Sequence, residues 1–151
     1  MSKSKYIILK ERYYTDEKKT EPTWLEVKNH PIWKKITGKE IDRLTISMMA
    51  TVIGYHYKLR KTGTFGLSIG GWLQNPHTGK RNEKQEKAIA IMVAIAVKEE
   101  SIEILNEDAN DIQNISHEYG NGGVYKLLEI INQESEKVIF DTLQSIMRKS
   151  I

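Results

Sequence analysis

The chain has 151 residues, 39% of them hydrophobic and 28% charged, the size of one domain that can bury a core without covalent staples. It contains no cysteine, which excludes disulfides, thiolate-held zinc, iron–sulfur clusters and thiol nucleophiles. The net charge of +3 divides unevenly, because residues 1–81 carry 16 Lys and Arg against 7 Asp and Glu, whereas residues 82–151 carry 7 against 13. A basic half suits an anionic partner such as nucleic acid, and an acidic half suits a basic protein surface or a self-complementary dimer; the competing reading is ordinary scatter of solvated charge.

The start, MSKSKYIILKERYY, has only a short apolar run at Ile7 to Leu9, far below a signal-peptide core. Tyr6 to Leu9, with Tyr13 and Tyr14 beyond, allow an N-terminal strand. Thr15 to Thr23 is polar, contains Pro22 and reads as a loop, after which Thr23 caps a short helix from Trp24 to Asn29 that Pro31 stops. Trp24, Ile32 and Trp33 are expected to pack on the main body, making residues 1–36 an N-terminal arm on a helical domain of residues 37–151.

Thr37-Gly38-Lys39-Glu40 has the form of a capping box, and Ile41, Leu44, Met48, Val52, Tyr55 and Leu59 follow at helical spacing. This helix should leave through the basic turn Tyr55 to Lys61, where cations suit the negative end of the helix dipole, and stop at Gly63. Gly54 to Arg81 then holds six of the ten glycines and no acidic residue. Within it Phe65, Leu67 and Ile69 alternate with Gly66, Ser68 and Gly70, so residues 64–70 could pair with residues 5–10 as a small β element or form an irregular loop. A second capping box, Asn82 to Gln85, opens a helix through AIAIMVAIAV to about Lys98, read as the central core helix because it is apolar all round. That ten-residue run, Ala88 to Val97, is the longest apolar stretch, where a membrane span needs roughly 20 residues, and the expectation is a soluble cytoplasmic protein.

Beyond Ser101 and Asn106, each a potential cap, Ile112, Ile115 and Tyr119 share one helical face. Tyr119-Gly120-Asn121-Gly122-Gly123 should break the helix into a tight corner before an amphipathic helix through Val124, Leu127, Leu128 and Ile131. Ser135 caps a last helix carrying Val138, Ile139, Leu143, Ile146 and Met147.

Several motifs fail on inspection. Gly79-Lys80 is not a phosphate-binding Walker loop, which needs Gly at 74 and Ser or Thr at 81, where the chain has Gln74 and Arg81. Gly63-Thr64-Phe65-Gly66 matches the GxxG clamp of KH domains, without the surrounding βααβ pattern. His30, His56, His77 and His117 form no local metal-ligand spacing, and Glu26-Val27-Lys28 has a nuclease-like E-x-K spacing without a strand context, so no catalytic residue, metal or cofactor is assigned. What remains is a basic aromatic set, Tyr57, Lys58, Arg60, Lys61, Trp72, Lys80, Arg81 and Lys84, with Tyr55, His56 and Lys87 nearby. Cations there can neutralise phosphates and exposed rings can stack on unpaired bases, provided that the two helix ends lie on one side of the core. The bland reading is that Tyr55 and Trp72 anchor the core while the cations solvate helix ends.

Two stretches, Ile41 to Lys61 (IDRLTISMMATVIGYHYKLRK) and Ile115 to Ile130 (ISHEYGNGGVYKLLEI), resemble small accessory proteins encoded beside bacterial DNA phosphorothioation (Dnd) restriction genes. In those an apolar helix with a Gly-Tyr-type basic exit precedes a loop, and a Tyr-Ala-Asn-Gly-Gly turn lies near the end; here Gly120 stands where Ala is expected. The resemblance covers residues 37–133 and leaves the arm and the last helix outside it. It implies a place in an antiviral defence system that distinguishes sulfur-modified host DNA, with larger ATPase and nuclease subunits as partners, and it supplies no catalytic residues. The expectation is therefore a mainly α, single-domain bundle of five or six helices, acting as a non-catalytic accessory or adaptor subunit that contacts DNA. A protein-interaction or regulatory homodimer without nucleic-acid binding is the alternative, and a small metal-dependent nuclease ranks third.

Overall fold

A computed structural model describes residues 20–62, 71–106, 109–133 and 135–150. Among them are six α-helices, α1 (Glu21–Lys28), α2 (Ile32–Thr37), α3 (Arg43–Tyr57), α4 (Glu83–Glu99), α5 (Ala109–Ile131) and α6 (Glu136–Ser150), with a 3-10 turn at Ile102–Asn106. The fold is mainly α and a single domain. Residues 5–10 and 64–70, where a β element was expected, lie outside the described residues, as does Gly63.

The centre of the bundle is the α3–α5 pair. Nine residues of α3 are buried, from Leu44 through Gly54, among them the polar Ser47 and Thr51. Each of those two hydroxyls is satisfied by a carbonyl one helical turn back, Ser47 Oγ on Arg43 O at 3.0 Å and Thr51 Oγ1 on Ser47 O at 2.7 Å. Around this pair α1 packs on α5 through Trp24 and Val27, α4 lies against both helices through Ala88, Met92, Ile95 and Ala96, and α6 inserts Ile139, Leu143 and Ile146. The apolar run of α4 is therefore buried along one face only, with Ile89, Ile91, Val93 and Val97 half-buried. Contrary to its composition, α4 flanks the core and α3 occupies its centre.

The largest departure from expectation is at Tyr119 to Gly123, which is no corner: α5 runs through it unbroken for 23 residues. These glycines serve close approach. A Cβ on Gly123 would fall 1.9 Å from Ala50 O, and a Cβ on Gly54 would fall 1.9 Å from Tyr119 O. Each glycine thus meets the carbonyl that lies four residues before its counterpart on the facing helix. Gly122 is equally constrained, its Cβ position being 1.5 Å from Leu59 O. Backbones this near exclude any side chain and permit Cα–H···O contacts.

Asn121, expected to bend the chain, is instead fully buried as a polar latch. Its Oδ1 accepts from Thr20 Oγ1 at 2.9 Å and from Trp24 Nε1 at 3.1 Å, while its Nδ2 donates to His117 O at 2.6 Å. The latch fixes α1 to the middle of α5 and explains why Thr20, at the N-cap of α1, makes no side-chain capping bond. With Pro22 in its first turn, α1 begins at Glu21, three residues ahead of the expected start. Pro31, expected as a stop, stands at the N-cap of α2.

Thr37 to Glu40 does not open a helix. Thr37 ends α2, its Oγ1 donating to Trp33 O at 2.7 Å, and Gly38 closes that helix at φ 79°. The cap of α3 is Asp42, whose Oδ1 accepts from Thr45 N at 2.8 Å. The second capping box forms as read, with Gln85 N on Asn82 Oδ1 at 2.8 Å and Asn82 N on Gln85 Oε1 at 2.9 Å. Ser135 also caps as expected, its Oγ accepting from Val138 N at 3.3 Å, although Val138 itself points to solvent.

Two substitutions test this core. In an ordinary helix Gly123→Ala should gain about 0.5–1 kcal/mol from backbone entropy; here it should lose about 3 kcal/mol or more, because rigid backbone occupies the space. Asn121→Ala should cost about 2–3 kcal/mol by leaving the Thr20 hydroxyl and Trp24 indole donors buried without an acceptor. Urea unfolding of each variant beside the wild type measures both.

Candidate nucleic-acid interface

The eight sequence-predicted contact residues fall into two groups. Tyr57, Lys58, Arg60 and Lys61 occupy the exit of α3, and Trp72, Lys80, Arg81 and Lys84 surround the entry to α4. Two ion pairs set the relation between these places. Lys84 Nζ contacts Asp42 Oδ2 at the start of α3, and Arg60 Nη1 meets Glu99 Oε1 at the end of α4 at 3.2 Å. The two helices therefore lie side by side pointing the same way, and the basic groups sit at opposite ends. A 15-residue helix, the length of α3, places about 22 Å between them. The cations do not converge into one patch, so the geometric condition for a single eight-residue surface is not met.

At the α4 entry the cations are largely engaged. Lys84 is held by Asp42, and Arg81 Nη2 donates to Gln74 Oε1 at 3.3 Å. Lys80, Arg81, Trp72 and Gln74 border an open hollow of about 480 Å³. Gly71 reaches this end by close approach, since a Cβ there would lie 2.9 Å from Leu44 N. Burial works to raise the Asp42 carboxyl, but the Lys84 hydrogen bond, the Thr45 amide and the Lys84 charge outweigh it and hold the group below its ordinary value.

The α3 exit is built differently. Lys58 takes the left-handed conformation at φ 56°, with Lys58 N on Tyr55 O at 3.2 Å and Leu59 N on Gly54 O at 2.8 Å, a Schellman closure made without glycine. The turn throws the chain across α5, where Lys61 N donates to Glu118 O at 3.0 Å and Leu59 O rests on Gly122. Arg60 is drawn inward: its Nε donates to Glu118 Oε1 at 2.6 Å, and its guanidinium carbon lies 5.7 Å from the centre of the Tyr119 ring. Partial burial opposes its charge, yet the Glu118 bond and the Glu118, Tyr119 and Glu99 groups raise its pKa above the ordinary value. The Tyr119 phenol is itself pushed upward, first by burial and then by its bond to Glu99. Arg60 is thus a tie between α3, α4 and α5.

The remaining cations of this exit lie over rings. Lys58 Nζ is 3.9 Å from the Tyr55 ring centre, and Lys61 Nζ is 5.0 Å from that of Tyr125. Lys126 Nζ is 4.9 Å from the Tyr57 ring centre and also pairs with Glu129 at 3.1 Å. Tyr57 and Tyr125 are exposed at 39% and 41%. Neither Lys58 nor Lys61 forms an ion pair among the described residues. The exposed Tyr57, Lys58 and Tyr125 and the half-buried Lys61 and Lys126 therefore form one basic aromatic ridge. Tyr125 and Lys126 are hidden at the level of sequence because they lie in a helix marked by its apolar face; an aromatic residue next to a lysine on the opposite face is the available signal.

On the other side of Arg60 the charge reverses. Glu100, Glu103, Asp111 and Glu118 line, together with Arg60 and Ile104 of the 3-10 turn, a cleft of about 420 Å³. No group of three or more His, Asp or Glu among the described residues is arranged to hold a metal ion. Glu26 lies exposed on α1, His77 sits in a turn with its amide on Asn75 Oδ1 at 2.8 Å, and His117 is buried. No described helix is long and apolar enough to cross a membrane.

The Asp42 pair has a pH signature. Because its folded pKa is depressed, its contribution to stability is complete above the ordinary carboxylate value and is lost as pH falls through the lowered one. From about pH 5 to about pH 3 the wild type should lose more stability than Asp42→Asn, which keeps a cap for Thr45 but titrates no proton. Asp42→Ala should cost about 1 kcal/mol at neutral pH through loss of the cap. Chemical denaturation across that pH range reads both effects.

Comparison with protein-family models, with curated proteins and with solved structures finds no match to this chain.

Proposed function

We propose that the chain is a non-catalytic accessory subunit that contacts nucleic acid through the ridge of Tyr57, Lys58, Lys61, Tyr125 and Lys126. The observation that carries this reading is the state of Lys58 and Lys61, whose ammonium groups lie over tyrosine rings and form no ion pair among the described residues. A cation so held keeps its charge available to a phosphate, at the cost of only a weak exposed cation–π contact. Arg60 and Lys84 contribute little to such binding, since each is already committed to carboxylates. The resemblance of residues 37–133 to small Dnd-associated accessory proteins suggests the setting: a DNA-modification-dependent defence system with larger ATPase and nuclease subunits as partners. The acidic cleft would then be the side offered to a protein.

The alternative, a protein-interaction or regulatory homodimer module, is favoured by one feature. Ile102 and Leu105 of the 3-10 turn are exposed at 66% and 39% beside that cleft. Binding to DNA and RNA across a salt series separates the two readings. Combined Lys58→Gln, Lys61→Gln and Lys126→Gln should weaken binding at least about tenfold and flatten its salt dependence, by roughly 0.7–0.9 in log–log slope for each phosphate that is no longer neutralised. Lys80→Gln with Lys84→Gln should change neither. Equal behaviour of the triple variant and the wild type would overturn the nucleic-acid reading in favour of the protein-interaction module.

A further inference from the structure

Resting on the ridge assigned above, we infer that its ligand is a single-stranded polynucleotide, with two bases stacked on Tyr57 and Tyr125. Two features of the ridge carry this. The first is a shortage of charge. Among the described residues only Lys58, Lys61 and Lys126 supply its cations, and Lys126 shares its ammonium with Glu129 at 3.1 Å. Arg60, next to Lys61 in the chain, adds no free cation, because the Glu118 and Glu99 carboxylates hold it. A duplex presents a stiff and dense array of phosphates and is bound mainly by neutralising many of them at once. Two or three lysines, one of them shared with a carboxylate, provide little of that.

The second feature is the pair of rings. Tyr57 belongs to the last turn of α3 and Tyr125 to α5, and the glycine crossing brings each ring within reach of a lysine from the opposite side. Lys126, the residue following Tyr125, lies over Tyr57, while Lys61 lies over Tyr125 with its Nζ 3.4 Å from the Tyr125 hydroxyl. Each ring is therefore covered by an ammonium delivered from the other side of the crossing. A base of a duplex is stacked on its neighbours and cannot offer its face to a protein ring. An unpaired base can, and a base stack is stronger than an exposed cation–π contact. When a base takes the ring face, the displaced lysine is left beside the sugar–phosphate chain that carries that base. One movement thus makes a stack and a phosphate contact together, an exchange open only to a single strand. Since every base has a π-face, the site should tolerate sequence, and DNA and RNA single strands share the chemistry it reads.

The test uses the full chain and fluorescently labelled oligonucleotides of about 12 residues, within the usual range of single-strand site sizes. Oligo-dT, oligo-rU and a DNA duplex of equal length are titrated by anisotropy at low salt. Both single strands should bind at least about tenfold tighter than the duplex; tight binding of only one of them assigns the ligand to DNA or to RNA within the same inference. Tyr57→Leu with Tyr125→Leu should lower single-strand affinity by about tenfold or more and leave duplex affinity unchanged. Tyr57→Phe, which keeps the ring, should retain it. Both positions are exposed, and matched far-ultraviolet circular dichroism confirms that the variants fold. Duplex binding equal to or tighter than single-strand binding, abolished in the lysine variants and indifferent to both tyrosines, would overturn this inference while leaving the ridge as a nucleic-acid site. Binding of no polynucleotide would overturn both.

Discussion

The structure depends on one steric condition: α3 and α5 must be able to touch backbone to backbone. Gly54 and Gly123 meet that condition reciprocally, each occupying the space beside a carbonyl of the other helix, and Gly122 extends it to Leu59 just beyond the end of α3. Both helices run unbroken through the crossing. Three glycines cost backbone entropy within helices, and the close packing they allow offsets that loss. The basic aromatic ridge follows from this contact. The α3 exit lies across α5 because Leu59 can rest on Gly122, so Lys61 reaches Tyr125 and Lys126 reaches Tyr57.

Charge is arranged around the same crossing. Arg60 and Lys61 are adjacent in sequence and opposite in use: Arg60 turns to Glu118 and Glu99, and Lys61 turns to a tyrosine. The salt bridges cancel charge at the boundary between ridge and cleft, which keeps a basic strip and an acidic hollow distinct within a few residues of one another. The uneven charge of the two halves of the sequence is thereby converted into local polarity, although the two surfaces do not coincide with those halves. Lys126 belongs to the acidic half and to the basic ridge.

Features decided by neighbours in the chain were legible in the sequence. The Asn82–Gln85 box, the Ser135 cap, the helical period of α3 and the mainly α fold all follow from local propensity and spacing. Features decided by distant contacts were not. Thr37 to Glu40 carries letters equivalent to those of the true box, but Gly38 takes the left-handed conformation that ends α2, and Asp42 caps instead. Glycines at 120, 122 and 123 signal a turn as readily as a close approach, and only the presence of Gly54 opposite decides between them. The apolar run of α4 announced burial without saying which side would be covered. For the candidate site, composition located the cations but could not show that Arg60 and Lys84 have carboxylate partners 58 and 42 residues away. Nor could it show that about one helix length divides the predicted group.

The central claim is the unbroken α5 with Gly123 against Gly54, and nuclear magnetic resonance of the labelled protein in solution tests it most directly. Helical Cα shifts should continue through Gly120 to Gly123, together with a strong nuclear Overhauser contact between the α-protons of Gly54 and Gly123. Non-helical shifts at those glycines, with no contact between the two residues, would contradict it.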